Sequence, residues 1–228
     1  MSIRIYSTEY TTPLPPGTFE SLLTGLPSDI AATARRYRRW QDAYGCVFGK
    51  LLLMAALKEE GMTADLSRLQ YSDHGRPFLF NAPDFNISHS AHRVACIIAT
   101  HGRVGIDLEE IRQLDITDLK SQFAPEEWQS IQEAKLPLET FYRYWTAKES
   151  LSKADGRGLS LPLAALKIED AGPIRVGERC WYLHCMTHFP GYACHVAAES
   201  PLAEVIIKAI DINELTDSVL CGYRNYPT

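Results

Sequence analysis

Between Arg35 and Glu60 the apolar residues Trp40, Tyr44, Val47, Leu51 and Met54 recur at alternating steps of four and three. That spacing predicts one face of an amphipathic helix, and Gly61 is a natural stop for it. Residues 85–90 lead into a β-like run at 94–100, and another strand is read at 103–108, with the turn pair His101-Gly102 between them. Pro125, Glu126 and Glu127 have the composition of a helix's first turn, with Trp128 and Ile131 on its inner side. A longer helix is predicted over about 139–154, closed by Asp155-Gly156, and short strands over 181–186 and 192–198. Each half therefore offers a long helix followed by strands. This predicts an α+β fold and hints at two similar lobes, although no clear sequence repeat accompanies them.

Composition narrows the picture. The chain has 228 residues, 46% of them hydrophobic and 22% charged, which is ordinary globular composition, long enough for one large domain or two compact lobes. The net charge of −5 argues against general nucleic-acid binding, which needs a basic surface. Any anionic ligand must then meet a local basic cluster. Arg35, Arg36, Arg38 and Arg39 crowd the predicted first turn of the first long helix, where positive charge opposes the helix dipole. Both a solvated face and an anion site are open readings, since free N–H groups at a helix start also hold anions. MSIRIYSTEY has no signal-peptide pattern, and the aliphatic run 51–57 is far too short to cross a bilayer, so a cytoplasmic protein without membrane contact is expected. Cys46, Cys96, Cys180, Cys185, Cys194 and Cys221 form no CxxC pair and are expected as reduced, mostly buried thiols.

Three segments carry candidate chemistry. In the strand Gly105-Ile106-Asp107-Leu108-Glu109, residues two apart share a face, so Asp107 and Glu109 lie together while Ile106 and Leu108 face the core. Adjacent carboxylates repel unless a cation lies between them, and hard oxygen ligands suit Mg²⁺. An exposed acidic edge strand has the same spacing. In the helix, Glu149 and Lys153 share a face with Tyr142 and Trp145, as a plain i,i+4 ion pair would also do. Asn86-Ile87-Ser88-His89-Ser90, after Gly75-Arg76-Pro77, gathers hydroxyls, an imidazole and an arginine able to hold a phosphate monoester, although an ordinary polar loop has the same composition. Ser88-His89 lacks the G-x-S-x-G elbow of a serine hydrolase, and His184, Cys185 and His188 lie in strand-like text rather than on a helix, which disfavours zinc.

In this order, GRP, FNISHS, VGIDLEEI and YWTAKESLSKADGRGLSLPL resemble the Sfp-type (surfactin-activating) 4′-phosphopantetheinyl transferases, in the F/KES-like subgroup, with YRRWQDAYGCVFGKLLL a weaker upstream match. The pairing of GID-x-E with W-x-x-KES-x-x-K is the specific part. The resemblance implies two α/β lobes related by a pseudo-twofold, an N-terminal one at 1–104 and a C-terminal one at 105–228, with the active site between them. It implies transfer of the phosphopantetheine arm of coenzyme A to a serine of an apo acyl or peptidyl carrier protein, releasing adenosine 3′,5′-bisphosphate. Asp107, Glu109 and Glu149 would hold Mg²⁺, and Lys153 would contact phosphate. Ser88, His89 and Arg76 would grip the nucleotide's 3′-phosphate end, and Glu127 or Glu149 would act as general base. The lysines that relatives place before the first long helix are absent, with Ile30 and Thr33 in that stretch, so Arg35, Arg36 or Arg39 is the expected substitute, with Arg36 and Arg39 taken as the binding residues. Cys46 stands where relatives carry a hydroxyl. An apolar series, Ile111, Leu114, Ile116, Leu119 and Phe123, falls where relatives meet the carrier. A Mg²⁺-dependent nucleotide or coenzyme A hydrolase and a non-catalytic carrier-binding protein are the alternatives. Two built-in lobes would make a monomer sufficient.

Overall fold

The computed structural model of the protein describes residues 1–168 and 172–224. In chain order these form β1 (Ser2–Glu9), α1 (Thr18–Thr24), α2 (Ser28–Arg35), α3 (Trp40–Glu59), β2 (Gln70–Tyr71), β3 (Pro77–Phe78), β4 (Asp84–Ser90), β5 (Arg93–Ala99) and β6 (Val104–Glu110). They continue as α4 (Pro125–Glu133), α5 (Pro137–Asp155), β7 (Ile174–Val176), β8 (Arg179–Cys185), β9 (Tyr192–Ala198), β10 (Glu204–Ala209) and α6 (Ile212–Arg224). One four-stranded sheet has the order β10-β1-β5-β4 and the other β6-β9-β8-β7. The fold is α+β, as expected.

The strand β5 shows why the layers stack as they do. Its residues are almost all β-branched or small and apolar, and it lies between β1 and β4, antiparallel to both. Val94, Cys96 and Ile98 pack with the buried face of α3, while Ala95, Ile97 and Ala99 point the other way. There they meet Val104, Ile106 and Leu108 of β6 and Cys194, Val196 and Ala198 of β9. The order of layers is thus α3, first sheet, second sheet, α5, with Leu151 and Ala154 of α5 packed on Trp181 and Ala197. The inner faces are apolar over β5, β6 and β9, with polar side chains at the β4 edge, and the outer faces each receive one long helix.

Two features depart from the sequence pattern. The first long helix starts at Trp40, not Arg35. Arg35 closes α2, Arg36 is its C-cap, and Arg39 is extended at φ −94°, ψ 131°. Four arginines in a helix's first turn would set their charges against its positive end, and the chain avoids this by turning out of helix there. The second is β10, which returns to the first sheet and runs parallel to β1, pairing Ser2 with Glu204 through to Ser7 with Ala209. Leu215 of α6 then seals the core beneath α3.

The thiols of Cys46, Cys96, Cys180, Cys185 and Cys194 are free. Cys96 and Cys194 are buried, Cys46 and Cys180 partly so, and Cys185 is exposed, while the side chain of Cys221 lies outside those described. Among the described residues no helix is long and apolar enough to cross a membrane.

Candidate active site

The site forms where the edges of the two sheets meet. In β4 the side chains of Asp84, Asn86, Ser88 and Ser90 share one face, because residues two apart in a strand do. Each accepts a hydrogen bond from a backbone N–H on the open edge of β6. Val104 donates to Asp84 at 2.8 Å, Ile106 to Asn86 at 3.1 Å, Leu108 to Ser88 at 3.1 Å and Glu110 to Ser90 at 3.2 Å. An edge strand buried without partners would leave these donors unsatisfied, so β4 completes β6 with side chains in place of a backbone ladder. The two serines also donate: Ser88 Oγ to Asp107 Oδ1 at 3.0 Å and Ser90 Oγ to Glu109 Oε2 at 2.6 Å.

Asp107 and Glu109 share one face of β6, as period two predicts, while Ile106 and Leu108 are buried in the core between the sheets. Opposite them stands α5. Gly105 has α5 backbone, at Ser150 O and Ala154 N, where a Cβ would be, so the helix axis can approach β6 closely. One face of α5 therefore presents Trp145, Glu149 and Lys153 to the carboxylates, and these side chains, with Ile87, Ser88 and His89, line a cleft of about 290 Å³. Lys153 does not make the simple i,i+4 pair with Glu149. Its ammonium lies 2.6 Å from Asp107 Oδ1 and 3.0 Å from Ser88 Oγ. Tyr142, expected on the same face, is buried instead among Phe123, Trp128, Ile131 and Phe141.

Burial raises Glu109 above the usual glutamate range, the Ser90 hydrogen bond offsets part of this, and the Asp107 charge adds to it. Glu149 is raised by burial and then by Asp107, with Lys153 opposing. The second oxygen of Asp107, Oδ2, is buried without a hydrogen-bond partner. Among the described residues no three His, Cys, Asp or Glu side chains converge into a metal cage by themselves. A hard cation completing its shell with water and substrate phosphate needs only one or two protein carboxylates, and the orphaned Oδ2 suits that demand.

A second cavity, about 340 Å³, adjoins this cleft through Ile87, His89 and Lys153. The ring of His89 fills the space left by Gly45, and Ile87 that left by Gly49, one turn further along α3. Burial first, and Lys153 second, push the His89 imidazole towards its neutral form. Ser88 and His89 point to opposite faces, as adjacent strand residues must: Ser88 reaches β6 and His89 reaches α3.

Three groups of expected residues have other surroundings. Arg36 and Arg39 are exposed and are not among the residues lining either cavity. Arg76 does line the larger cavity, but its guanidinium is spent on protein. It binds Asp84 bidentately at 2.8 and 2.7 Å and donates to the carbonyls of Lys153 and Val104, both at 2.9 Å. Glu127 is buried at 6% exposure, away from both cavity linings. Its carboxylate pairs with Lys148 at 2.8 Å and accepts from the backbone N–H groups of Ala124 and Ile168 at 2.8 and 3.0 Å. Lys148 in turn is fully buried and donates to the carbonyls of Leu163 and Leu166. This buried pair ties α4 to α5 and to the chain that follows. Conversely, sequence reasoning passed over Lys50, Tyr37 and His74, which line the larger cavity. The i,i+4 relation of Lys50 to Cys46 on α3 is the signal that could have found the first.

Known proteins share this arrangement's sequence. The family profile described as the 4′-phosphopantetheinyl transferase superfamily matches residues 103–197. A 4′-phosphopantetheinyl transferase of Bacillus subtilis is 30% identical over 182 residues, covering 76% of this chain and 80% of that protein. The 4′-phosphopantetheinyl transferase Sfp of Bacillus subtilis (strain 168) is 26% identical over 225 residues, 93% of this chain and all of its own length. The transferase gsp of Aneurinibacillus migulanus is 33% identical over 137 residues, 59% of this chain and 57% of its own. With a relative at that identity aligned over most of both chains, and the family match spanning β6, α5 and β9, this protein belongs to the 4′-phosphopantetheinyl transferase superfamily.

Proposed function

We propose that the protein transfers the 4′-phosphopantetheine arm of coenzyme A to a serine hydroxyl of an apo acyl or peptidyl carrier protein. The observation that carries this reading is the junction of two cavities, one walled by Asp107, Glu109 and Glu149, the other by basic side chains without any carboxylate. A coenzyme A molecule has the matching asymmetry: a pyrophosphate to be cut, and a nucleotide end bearing a further phosphate.

In the reaction the carrier serine Oγ forms a bond to the β-phosphorus, and the bond from that phosphorus to the bridging oxygen breaks. Adenosine 3′,5′-bisphosphate leaves with the bond's electron pair. The nucleophile comes from the partner, so the chain supplies alignment, charge and a base. Lys153, fixed by Asp107 and Ser88, sets a positive charge beside the pyrophosphate. Asp107, Glu109 and Glu149 would hold Mg²⁺, whose contribution is to offset negative charge on the pyrophosphate oxygens. Glu149 lines the carboxylate cleft and has no hydrogen-bond or ion-pair partner among the described residues, so an oxygen is open to the incoming hydroxyl or to a water. The Glu127 carboxylate, by contrast, is bonded to protein. Glu149 is therefore the base in this reading, and Glu127 holds α4 and α5 together. His89 borders the nucleotide cavity, whereas Ser88 lines only the carboxylate cleft, away from the 3′-phosphate end where it was expected.

The reading keeps the expected lobes, with the boundary between 104 and 105 falling at the start of β6, and adds β10 and α6 to the first lobe. Long helices on the outer faces of the two sheets support a pseudo-twofold relation. Both walls of the site come from one chain, which supports a monomer, and action in the cytoplasm agrees with free thiols. The test is incubation with coenzyme A, Mg²⁺ and several apo carriers, read by intact mass. A carrier gaining one phosphopantetheine group is the expected result. Coenzyme A consumed without carrier modification would mark a hydrolase, and carrier binding without turnover a non-catalytic partner.

A further inference from the structure

Lys50 projects from α3 into the larger cavity, and its ammonium has no hydrogen-bond or ion-pair partner among the described residues. Such a group is costly: a partly buried cation loses water and gains nothing until an anion arrives. Burial accordingly lowers the pKa of Lys50 from the usual lysine range. The cavity lining includes no carboxylate that could serve as partner, and Asp29 acts on Lys50 only as a neighbouring charge, without a hydrogen bond or ion pair. The cavity is thus built to receive negative charge from outside the protein.

Which negative charge follows from placement. Lys153 borders both the larger cavity and the carboxylate cleft, so it lies where the reacting pyrophosphate must sit. Lys50 borders only the larger cavity, on the wall made by α3. Arg36 and Arg39 stay outside it, and the Arg76 guanidinium is already bonded to Asp84 and to the carbonyls of Lys153 and Val104. Of the cavity's cations, Lys50 is the one that neither touches the reacting end nor is held by protein. Cys46, one turn before it on the same face, is a weak hydrogen-bond donor and adds little to phosphate binding by itself.

We propose that Lys50 binds the 3′-phosphate of coenzyme A and sets the preference for coenzyme A over its 3′-dephospho form. The proposal rests on the coenzyme A reading above. It is tested by calorimetric titration of the full chain, without carrier, using coenzyme A and 3′-dephospho-coenzyme A. The variants are Lys50→Met, Lys50→Gln as a second neutral replacement, and Lys50→Arg. Wild type should prefer coenzyme A, and both neutral variants should lose about tenfold or more of that affinity, while the dephospho form changes less than about twofold. Lys50→Arg should restore most of the preference. Unchanged coenzyme A affinity, or an equal fall for both ligands in two folded neutral variants, overturns the assignment of Lys50 alone. Wild type that binds neither ligand overturns the coenzyme A reading, and the proposal with it.

Discussion

Two glutamates of this chain have different surroundings, Glu127 bonded to protein and Glu149 open to the cleft. Glu127 is matched by Lys148 and two backbone donors. Glu127→Ala would leave the Lys148 ammonium buried with carbonyl partners alone, a change that costs roughly 3–5 kcal/mol when a buried pair is broken from one side. Urea unfolding should show that loss, and activity at low temperature should follow the folded fraction. A stable Glu127→Ala protein with no transfer would return the base role to Glu127. Glu149 is the reverse case, a carboxylate held near Asp107 with its pKa raised by burial. Its folded form holds the proton more tightly than its unfolded form. Wild-type stability therefore falls as pH rises from the ordinary value of 4.5 through the raised folded pKa, and stays lower above it. Glu149→Gln removes that titration. The variant should melt a few degrees higher than wild type at pH 7 to 8, by about 2–4 °C for a chain of this size, and the gain should vanish below the ordinary carboxylate range. No gain at neutral pH would mean that Glu149 is not under this strain.

At the scale of elements, close approach of helix to strand builds both cavities, and glycines permit it. Gly45 and Gly49 let α3 take His89 and Ile87 of β4 into its surface, and Gly105 lets α5 lie against β6. The Gly105 case is the stricter, because the obstacle is α5 backbone, which cannot rotate aside as a side chain can. Gly105→Ala should push the helix outward and cost roughly 3 kcal/mol, the upper part of the usual range for overpacking. The same shift would draw Glu149 and Lys153 away from Asp107, so kcat should fall more than folded content, measured by circular dichroism and turnover together. Full activity would mean that α5 tolerates displacement. The segment before α4 also becomes clear at this scale. Phe123 packs in the core with Trp128 and Phe141, whereas Leu114 is 42% exposed. The expected apolar series is therefore divided between structure and surface.

The whole molecule is held at its waist by polar groups. Arg76 spans the halves, bonding Asp84 of β4 and the carbonyls of Val104 and Lys153, beside the four side-chain rungs from β4 to β6. Arg76→Ala should cost about 3–5 kcal/mol, as breaking one side of a buried ion pair does. Hydrogen exchange should quicken at the amides of Val104, Ile106, Leu108 and Glu110 before it does in β5. Exchange unchanged at those four amides would show that the rungs hold without the clamp. None of this was legible locally. Period two placed Asp107 and Glu109 on one face, helical spacing placed Glu149 and Lys153 on another, and Gly156 at φ +89° closes α5 where the Asp155-Gly156 pair predicts. Those features depend on neighbours a few residues apart, and sequence alone determined them, together with the family to which the chain belongs. The partners of Lys153, Arg76, Glu127 and Lys50, and the return of β10 to β1, depend on residues distant in the chain. Whether a charge meets a carboxylate, a carbonyl or an open cavity is decided by which surfaces the packed layers bring together, and only the tertiary structure decided that.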